Sequence, residues 1–260
     1  MPTRNITDHK GSFGKILIIA GSEKMAGASL LSSKAAFHSG AGMVKLISSN
    51  INKADILANL PELMYSSYEN MTDNELLESI EWSDIIVIGP GLSTNENAIH
   101  LVEFVMRNSK YPVIADADAL NIISKNMSLL IERKEKLATT ILTPHVGEFK
   151  RLFPDYSPSD PFAVSKLAEK YGSIIVAKNS KTIISDGIST FINTTGNNGM
   201  ATAGSGDVLA GMIAAFTHNI SDRLLGVALS VYLHGEAGDK AVKDKNEYSI
   251  TASDIINHIF

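Results

Sequence analysis

The feature that most constrains this chain is a glycine-rich segment that runs directly into an apolar helical pattern. Residues 196–211 read GNNGMATAGSGDVLAG. Glycine lets the backbone reach positive φ and lets an anion approach closely, and the free N–H groups of a helix start point toward such an anion. The segment therefore predicts a phosphate-binding loop at a helix N-terminus, with Asp207 in the first turn.

Asp207 has two interpretations. A carboxylate in the first turn of a helix commonly acts as a cap or first-turn charge, worth about 0.3–1 kcal/mol. The alternative is a general base beside an anion site, which takes a proton from a substrate hydroxyl during phosphoryl transfer. Only the second interpretation also accounts for the surrounding glycines and asparagines. The loop is neither a Walker A motif, since Gly-Lys-Ser/Thr occurs nowhere, nor a dinucleotide fingerprint, which must follow the first strand of a βαβ unit.

Short apolar runs rich in β-branched residues alternate with longer amphipathic segments, which indicates strands alternating with helices. Near-continuous apolarity indicates strands buried on both faces, and Asp186-Gly187 indicates an antiparallel hairpin. The predicted fold class is α/β, a three-layer αβα sandwich with a central, mostly parallel sheet. The predicted strands are residues 15–20, 43–48, 84–88, 113–116, 140–143, 173–178, 182–185 and 190–193. The predicted helices are 26–39, 95–107, 161–171, 207–217 and 222–243, with a short last helix starting near 251–254.

Composition narrows the function classes. The 260 residues are expected to form one domain, 1–260. The absence of cysteine excludes disulfides, thiolate zinc sites and a cysteine nucleophile. The net charge of -5, without a dense Lys/Arg cluster, argues against a nucleic-acid partner. The apolar runs are too short to span a bilayer and the polar start lacks the apolar core of a signal peptide, so we expect no membrane partner and a cytoplasmic location.

Further motifs follow predicted strands, at the edge where α/β proteins bind ligands. Gly89-Pro90-Gly91 forms either a ligand-facing backbone shelf or a plain turn. Asp118 is expected to cap the next helix, whereas the role of Asp116 is left open between water-mediated magnesium binding and other roles. At the junction of the strand at 140–143 with a helix, a substrate contact is favoured for His145 over a structural role, and Glu148 lies at the same edge.

Two more segments carry polar groups. In the turn at 178–182, Lys178 and Lys181 either reach nucleotide phosphates or form an exposed hairpin tip. Glycines inside the helical pattern at 232–239 predict close packing against the glycine-rich loop or another helix. His234 and Glu236 are two residues apart on that helix and face different sides, which argues against a shared metal ion.

Taken together and in this order, the motifs resemble the NAD(P)H-hydrate dehydratases of the ribokinase-like superfamily. The similarity covers nearly the whole chain. The loop ending at Asp207 is typical of the superfamily, and Leu142-Thr-Pro-His-Val-Gly-Glu-Phe149 is much more specific to the family. The matching segments are residues 10–14, 20–22, 39–42, 89–92, 116–119, 142–149, 193–211 and 231–235.

The resemblance implies an enzyme, a carbon–oxygen lyase that returns the S epimer of hydrated NADH or NADPH to the normal cofactor at the expense of ADP or ATP, with Mg²⁺. It implies Asp207 as the catalytic base and leaves the metal ligands open. The substrate contacts it implies are Gly91, His145, Asp207 and Ser29. The nucleotide contacts it implies are Lys178, Asn179, Ser180, Lys181, Thr182, Gly204, Ser205 and Gly206.

Three positions depart from the family pattern. Ser205 replaces threonine and keeps a hydroxyl, Ser29 replaces alanine at a substrate position, and Asn179 replaces a glycine whose left-handed conformation asparagine tolerates. The resemblance also implies a homotetramer. Because only about 14 residues precede the first predicted strand, a partner epimerase is expected to be a separate protein rather than a domain of this chain.

Two other functions fit the same loop. One is a small-molecule kinase of the same superfamily, acting on a thiazole or pyrimidine alcohol, against which the motif at 142–149 argues. The other is a non-catalytic nucleotide sensor, which would bind nucleotide without turnover.

Overall fold

The computed structural model describes residues 5–260, and a nine-stranded sheet runs through their centre. The strands are β1 (Lys15–Ile19), β2 (Met43–Ser48), β3 (Met64–Ser67), β4 (Ile85–Ile88), β5 (Val113–Ala115), β6 (Thr140–Leu142), β7 (Ser173–Ala177), β8 (Ile183–Ser185) and β9 (Thr190–Ile192). Their order is β3-β2-β1-β4-β5-β6-β7-β8-β9. All neighbours from β3 to β7 pair in parallel, and β8 and β9 are antiparallel. The predicted mostly parallel sheet and its terminal hairpin are confirmed.

Helices cover both faces of the sheet. They are α1 (Ala26–His38), α2 (Lys53–Asn59), α3 (Asp73–Trp82), α4 (Glu96–Asn108), α5 (Asp118–Ile123), α6 (Ser128–Glu135), α7 (Val146–Leu152), α8 (Pro161–Tyr171), α9 (Ser205–Asn219), α10 (Arg223–Asp244) and α11 (Ala252–Asn257). Leu17 and Ile19 of β1 face the core formed with α3 to α8, while Ile16 and Ile18 face the core formed with α1, α2, α9 and α10. This alternation gives the predicted three-layer αβα sandwich.

Several elements lie outside the sequence-based prediction. β3 is an edge strand whose residues are exposed or half-buried, so it lacks the apolar run that marks the central strands. The helices α2, α3 and α6 were also missed, and α5 and α7 were expected only as helices after strands, without bounds; apart from α3, all of these have eight residues or fewer, which gives little periodic signal. In addition, α9 begins at Ser205 rather than at 207, because Gly204 takes a left-handed conformation (φ 89°) that sets the entry to the helix.

Within residues 5–260, no helix combines the length and the apolar character needed to cross a bilayer.

The closest helix contact positions the start of α9. A Cβ on Gly211 would lie 2.1 Å from the carbonyl oxygen of Ser32, so the backbone of α9 lies directly on α1. Further along the chain, Gly235 of α10 lies against Thr195, and Gly238 lies against Met200 beside the glycine-rich loop. The prediction that helical glycines at 232–239 pack against this loop is confirmed.

Replacement of Gly211 by alanine tests this contact. Alanine favours a helix by about 1 kcal/mol over glycine, but overpacking against a backbone carbonyl costs about 1–3 kcal/mol. We expect Gly211→Ala to lower the free energy of unfolding in urea. Gly27→Ala, in the first turn of α1, is the matched control because nothing lies within 4 Å of its added Cβ; its stability should equal or exceed the wild type. A Gly211→Ala protein as stable as the Gly27→Ala protein would contradict the close contact.

Candidate active site at the carboxyl edge of the sheet

The parallel strands end at one edge of the sheet, and the residues that follow them line that edge, where parallel α/β sheets bind ligands. Asp116 follows β5 and donates its backbone N–H to Ile88 at 3.1 Å. Lys178 follows β7 and donates its backbone N–H to Pro144 at 2.8 Å, so it lies beside His145, with which it forms a parallel bridge. Segments that are far apart in sequence therefore meet at this edge.

The start of α9 leaves backbone donors open above this edge. Its N-cap, Gly204, offers no side-chain cap, and the first helical bond back to it comes from Val208 N–H at 3.0 Å. Within the described part of the chain, no hydrogen bond is formed by the N–H groups of Gly206 and Asp207. Unpaired amides at the start of a 15-residue helix have the arrangement that favours binding of an anion.

Lys178 and Asp116 form an ion pair below this helix start. Lys178 Nζ lies 2.8 Å from Asp116 Oδ1, and the Thr143 hydroxyl donates to the same oxygen at 2.7 Å. Asp116 is 2% exposed. A Cβ at position 206 would lie 3.3 Å from Lys178 Nζ and 3.9 Å from Asp116 Oδ2, so the pair lies directly against the Gly206 backbone. Of the predicted nucleotide contacts, the structure thus brings Lys178 and Gly206 together.

The same surroundings change the pKa of Asp207. The pKa of its carboxyl is raised from 3.8 to about 7: burial is the largest cause, the Asp116 carboxylate adds to the rise, and the Lys178 ammonium opposes it. A carboxylate with a pKa near neutral pH is suited to general-base catalysis, since it combines a large ionised fraction with strong proton affinity. Asp207 does not cap α9, which has no side-chain cap, but it lies in the first turn as the alternative of a first-turn charge also expects, so its role as a base stays a prediction.

His145 has the structural role that sequence reasoning ranked second. Its Nδ1 accepts the backbone N–H of Gly147 at 2.9 Å, which places the ring proton on Nε2, and Nε2 lies 3.2 Å from Glu148 Oε1. Glu148 Oε2 in turn accepts the His145 N–H at 2.8 Å, so the two residues cap α7 reciprocally. The imidazole remains about half exposed (55%), whereas Glu148 is buried. Its substrate contact stays a prediction.

Gly91 and Ser29 lie beside the start of α1. Gly91 has a positive φ of 60°, and a Cβ there would lie 2.8 Å from that of Met25, so its backbone lies against the start of α1. Ser29 is fully buried, and its hydroxyl donates to Ala26 at 2.8 Å. Its Oγ lies beneath Gly21, at 2.7 Å from a Cβ placed there. Ser29 therefore supports the Gly21 turn, and its burial counts against the predicted direct substrate contact.

The turn at 178–182 differs from the sequence-based expectation. Asn179 is not left-handed; the positive-φ residues other than glycine in the described chain are Ser93, Ala117 and Leu137. Instead, Asn179 Oδ1 accepts the Lys181 N–H at 2.6 Å and its Nδ2 donates to Pro158 at 3.2 Å, so the side chain holds the turn. Ser180 and Lys181 are exposed at the tip, and Thr182 is partly buried.

The prediction that Asp118 caps α5 is wrong. The N-cap position is Ala117, without a side-chain bond, and Asp118 Oδ2 accepts the Ser93 N–H at 2.8 Å. Asp118 therefore fixes the loop that carries Gly91. Sequence reasoning also missed Thr143 as a partner of Asp116, because their bond joins positions 27 residues apart.

His234 lies beneath the loop. Its Nε2 is 3.4 Å from Ser205 Oγ, and burial lowers the pKa of the imidazole to about 4, so the ring is neutral at physiological pH. It supports the first turn of α9 as an uncharged partner.

A magnesium ion was expected with the nucleotide. Among residues 5–260, no group of three or more His, Asp or Glu side chains is arranged to hold a metal ion. The protein side chains alone therefore do not fit a metal site, and no step below is assigned to one.

Comparison with known proteins identifies the family. A family model described as NAD(P)H-hydrate dehydratase matches residues 16–260. The chain belongs to the NAD(P)H-hydrate dehydratase family. The match begins at β1 and takes in every site residue described above.

Individual members of the NAD(P)H-hydrate dehydratase family agree. The ADP-dependent (S)-NAD(P)H-hydrate dehydratase of Listeria monocytogenes is 31% identical over all of this chain and 91% of its own length. A bifunctional NAD(P)H-hydrate repair enzyme of Thermofilum pendens is 34% identical, and the chain spans about half (51%) of that relative's length. The Bacillus subtilis ADP/ATP-dependent NAD(P)H-hydrate dehydratase, co-crystallised with ATP and Mg²⁺, superposes with a TM-score of 0.83 at 28% identity, covering all of this chain and 92% of that one.

The raised pKa of Asp207 predicts a pH-dependent stability effect. Because the folded-state pKa (about 7) exceeds the unfolded value (3.8), the native state binds the proton more tightly, and this contribution to stability is lost as pH rises from about 4 to about 7. Asp207→Asn removes the buried charge. We expect it to raise the free energy of unfolding in urea, relative to the wild type, by on the order of 2 kcal/mol at about pH 8 and by little at about pH 4.

Glu62→Gln, an exposed carboxylate in the turn before β3, is the control and should show no such trend. An Asp207→Asn difference that stays constant between these two pH values would contradict the raised pKa.

Proposed function

We propose that this chain dehydrates the S epimer of hydrated NADH or NADPH, with ADP or ATP and Mg²⁺ as co-substrate. The observation that carries the proposal is a buried carboxylate, Asp207, with a pKa of about 7 beside the open amides of α9. Membership in the NAD(P)H-hydrate dehydratase family supports the substrate class. Phosphoryl transfer to a hydroxyl requires both a base and an anion site.

The chemistry solves a leaving-group problem. Asp207 takes the proton of the ring hydroxyl while that oxygen bonds to the terminal phosphorus of the nucleotide. The bond from this phosphorus to the bridging oxygen breaks, releasing AMP from ADP or ADP from ATP. The ring C–O bond then breaks with phosphate as leaving group, and loss of a proton from the neighbouring ring carbon forms the double bond of the reduced nicotinamide.

The chain's own groups stabilise the charge that moves in the first step. The amides of Gly206 and Asp207 donate to the oxygens of the transferred phosphoryl group. Lys178 lies against Gly206 and supplies a positive charge at the same place.

The remaining contacts divide the site into two sides. On the substrate side we place the Gly91 backbone and the half-exposed His145 ring. On the nucleotide side we place the α9 loop, residues 204–206, and the turn from Lys178 to Thr182, whose exposed tip carries Ser180 and Lys181. Ser29 acts through the Gly21 turn rather than by contact.

We further propose that residues 1–260 act as one dehydratase unit that assembles as a homotetramer in the cytoplasm. An epimerase that converts the R epimer would act together with it. Neither nucleic acid nor a membrane is a partner in this proposal.

The direct test is an assay with hydrated NADH and hydrated NADPH, supplying ADP or ATP with Mg²⁺ and following the absorbance of the reduced ring. We expect the absorbance to return and Asp207→Asn to lower the rate by about 10²–10⁴-fold while nucleotide still binds. Because the base must be ionised, the rate should fall as pH drops below about 7. No return of absorbance with either nucleotide would contradict the proposal.

The same assay distinguishes the proposed activity from the two alternative functions. A thiazole or pyrimidine kinase would phosphorylate its alcohol and leave hydrated NADH unchanged. A nucleotide sensor would bind nucleotide equally before and after the Asp207→Asn change and turn over neither substrate.

A further inference from the structure

Asp116 is a buried carboxylate that contacts neither solvent nor, in the scheme above, the reacting atoms. Its Oδ1 accepts both the Lys178 ammonium at 2.8 Å and the Thr143 hydroxyl at 2.7 Å. Its Oδ2 is directed toward the first turn of α9, near Gly206. Both contacts are of the kind that stabilises the charged form of a carboxyl group. A fixed negative charge therefore lies next to the proposed base.

Lys178 faces the same turn with the opposite charge. Its side chain is 19% exposed, and its Nζ approaches the Gly206 backbone. The other titratable groups around this point are Glu148 and His145 at α7, and His234 of α10. Glu148 contacts His145, and its own pKa is raised mainly by burial, lowered by Lys178 and raised by Asp116; His234 is neutral at physiological pH and bonded to Ser205. Asp116 and Lys178 are thus the two opposite charges that act on Asp207 directly.

We propose that Asp116 and Lys178 act as an opposed pair of positioning residues that set the basicity of Asp207, Asp116 strengthening it as a base and Lys178 weakening it. Thr143 anchors Asp116 in this role. The inference rests on the proposed function only in giving Asp207 the role of base; the charge arrangement itself is a property of the folded chain.

The electrostatic reasoning assigns opposite signs to the two members of one ion pair. A like charge disfavours ionisation of a neighbouring carboxyl, and an opposite charge favours it. The direction of each effect on the pKa of Asp207 agrees with this geometry: Asp116 raises it and Lys178 lowers it. A purely structural ion pair makes a different prediction, because loss of either partner would break the same contact and disturb the site in the same way.

The experiment compares Asp116→Asn with Lys178→Met by following the Asp207 carboxyl with ¹³C NMR across pH, without nucleotide or substrate, after assignment with Asp207→Asn. Asp116→Asn should move the Asp207 titration to lower pH by roughly one unit, because the neighbouring anion is gone. Lys178→Met should move the Asp207 titration to higher pH by a similar amount, because the neighbouring cation is gone.

The dehydration rate gives a second readout. Its decline at low pH should shift in the same two opposite directions, while Lys178→Arg, which keeps the charge, should restore the wild-type profile. Glu62→Gln and Lys166→Met make the same charge changes at exposed positions outside the site and should leave the titration unchanged.

Shifts in the same direction for Asp116→Asn and Lys178→Met, or no shift in either, would overturn the inference. If Asp116→Asn fails to fold, the double variant Asp116→Asn/Lys178→Met removes both charges without leaving one unpaired, and its titration should lie between those predicted for the two single changes. A titration outside that interval would overturn the inference. A protein that shows the opposed NMR shifts but no dehydration activity would refute the proposed function and leave this inference standing.

Discussion

The open amides at the start of α9 are the constraint on which the rest of the site depends. They exist because Gly204 enters the helix with a left-handed conformation and supplies no cap, so that the N–H groups of Gly206 and Asp207 have no hydrogen-bond partner among residues 5–260. They stay in place because Gly211 lets α9 lie directly on α1 at Ser32. A side chain at either glycine would move or cover the donors. The small residues of the segment are therefore needed to place the N–H groups as well as to allow the backbone conformation.

The charges around the start of α9 differ from the net charge of the chain. The chain carries a net charge of -5, yet Lys178 is held by Asp116 beneath the loop where phosphate is proposed to bind. This arrangement raises the pKa of Asp207, because burial and the Asp116 carboxylate both disfavour its ionised form. The raised pKa favours catalysis, because a carboxylate that binds a proton more tightly removes one from an alcohol more readily.

Sequence reasoning succeeded where the signal is local. The central strands, the terminal hairpin and the longer helices follow from apolar runs and turn residues, and the glycine-rich segment marked both the loop and Asp207. It failed where tertiary contacts decide. Asp118 accepts the Ser93 N–H instead of capping its helix, and Ser29 is buried against Gly21. The Thr143–Asp116–Lys178 contact joins the ends of three strands, which no local pattern reveals. Asn179 shows that a turn can persist by a side-chain bond where a left-handed backbone was expected.

The central claim concerns where the terminal phosphate of the nucleotide binds, and a crystal structure with ADP or a non-hydrolysable ATP analogue and Mg²⁺ measures this directly. The account predicts terminal phosphate oxygens at about 2.7–3.2 Å from the amide nitrogens of Gly206 and Asp207, with the Asp207 carboxylate facing the substrate side of the site. A terminal phosphate bound away from residues 204–207 would contradict it.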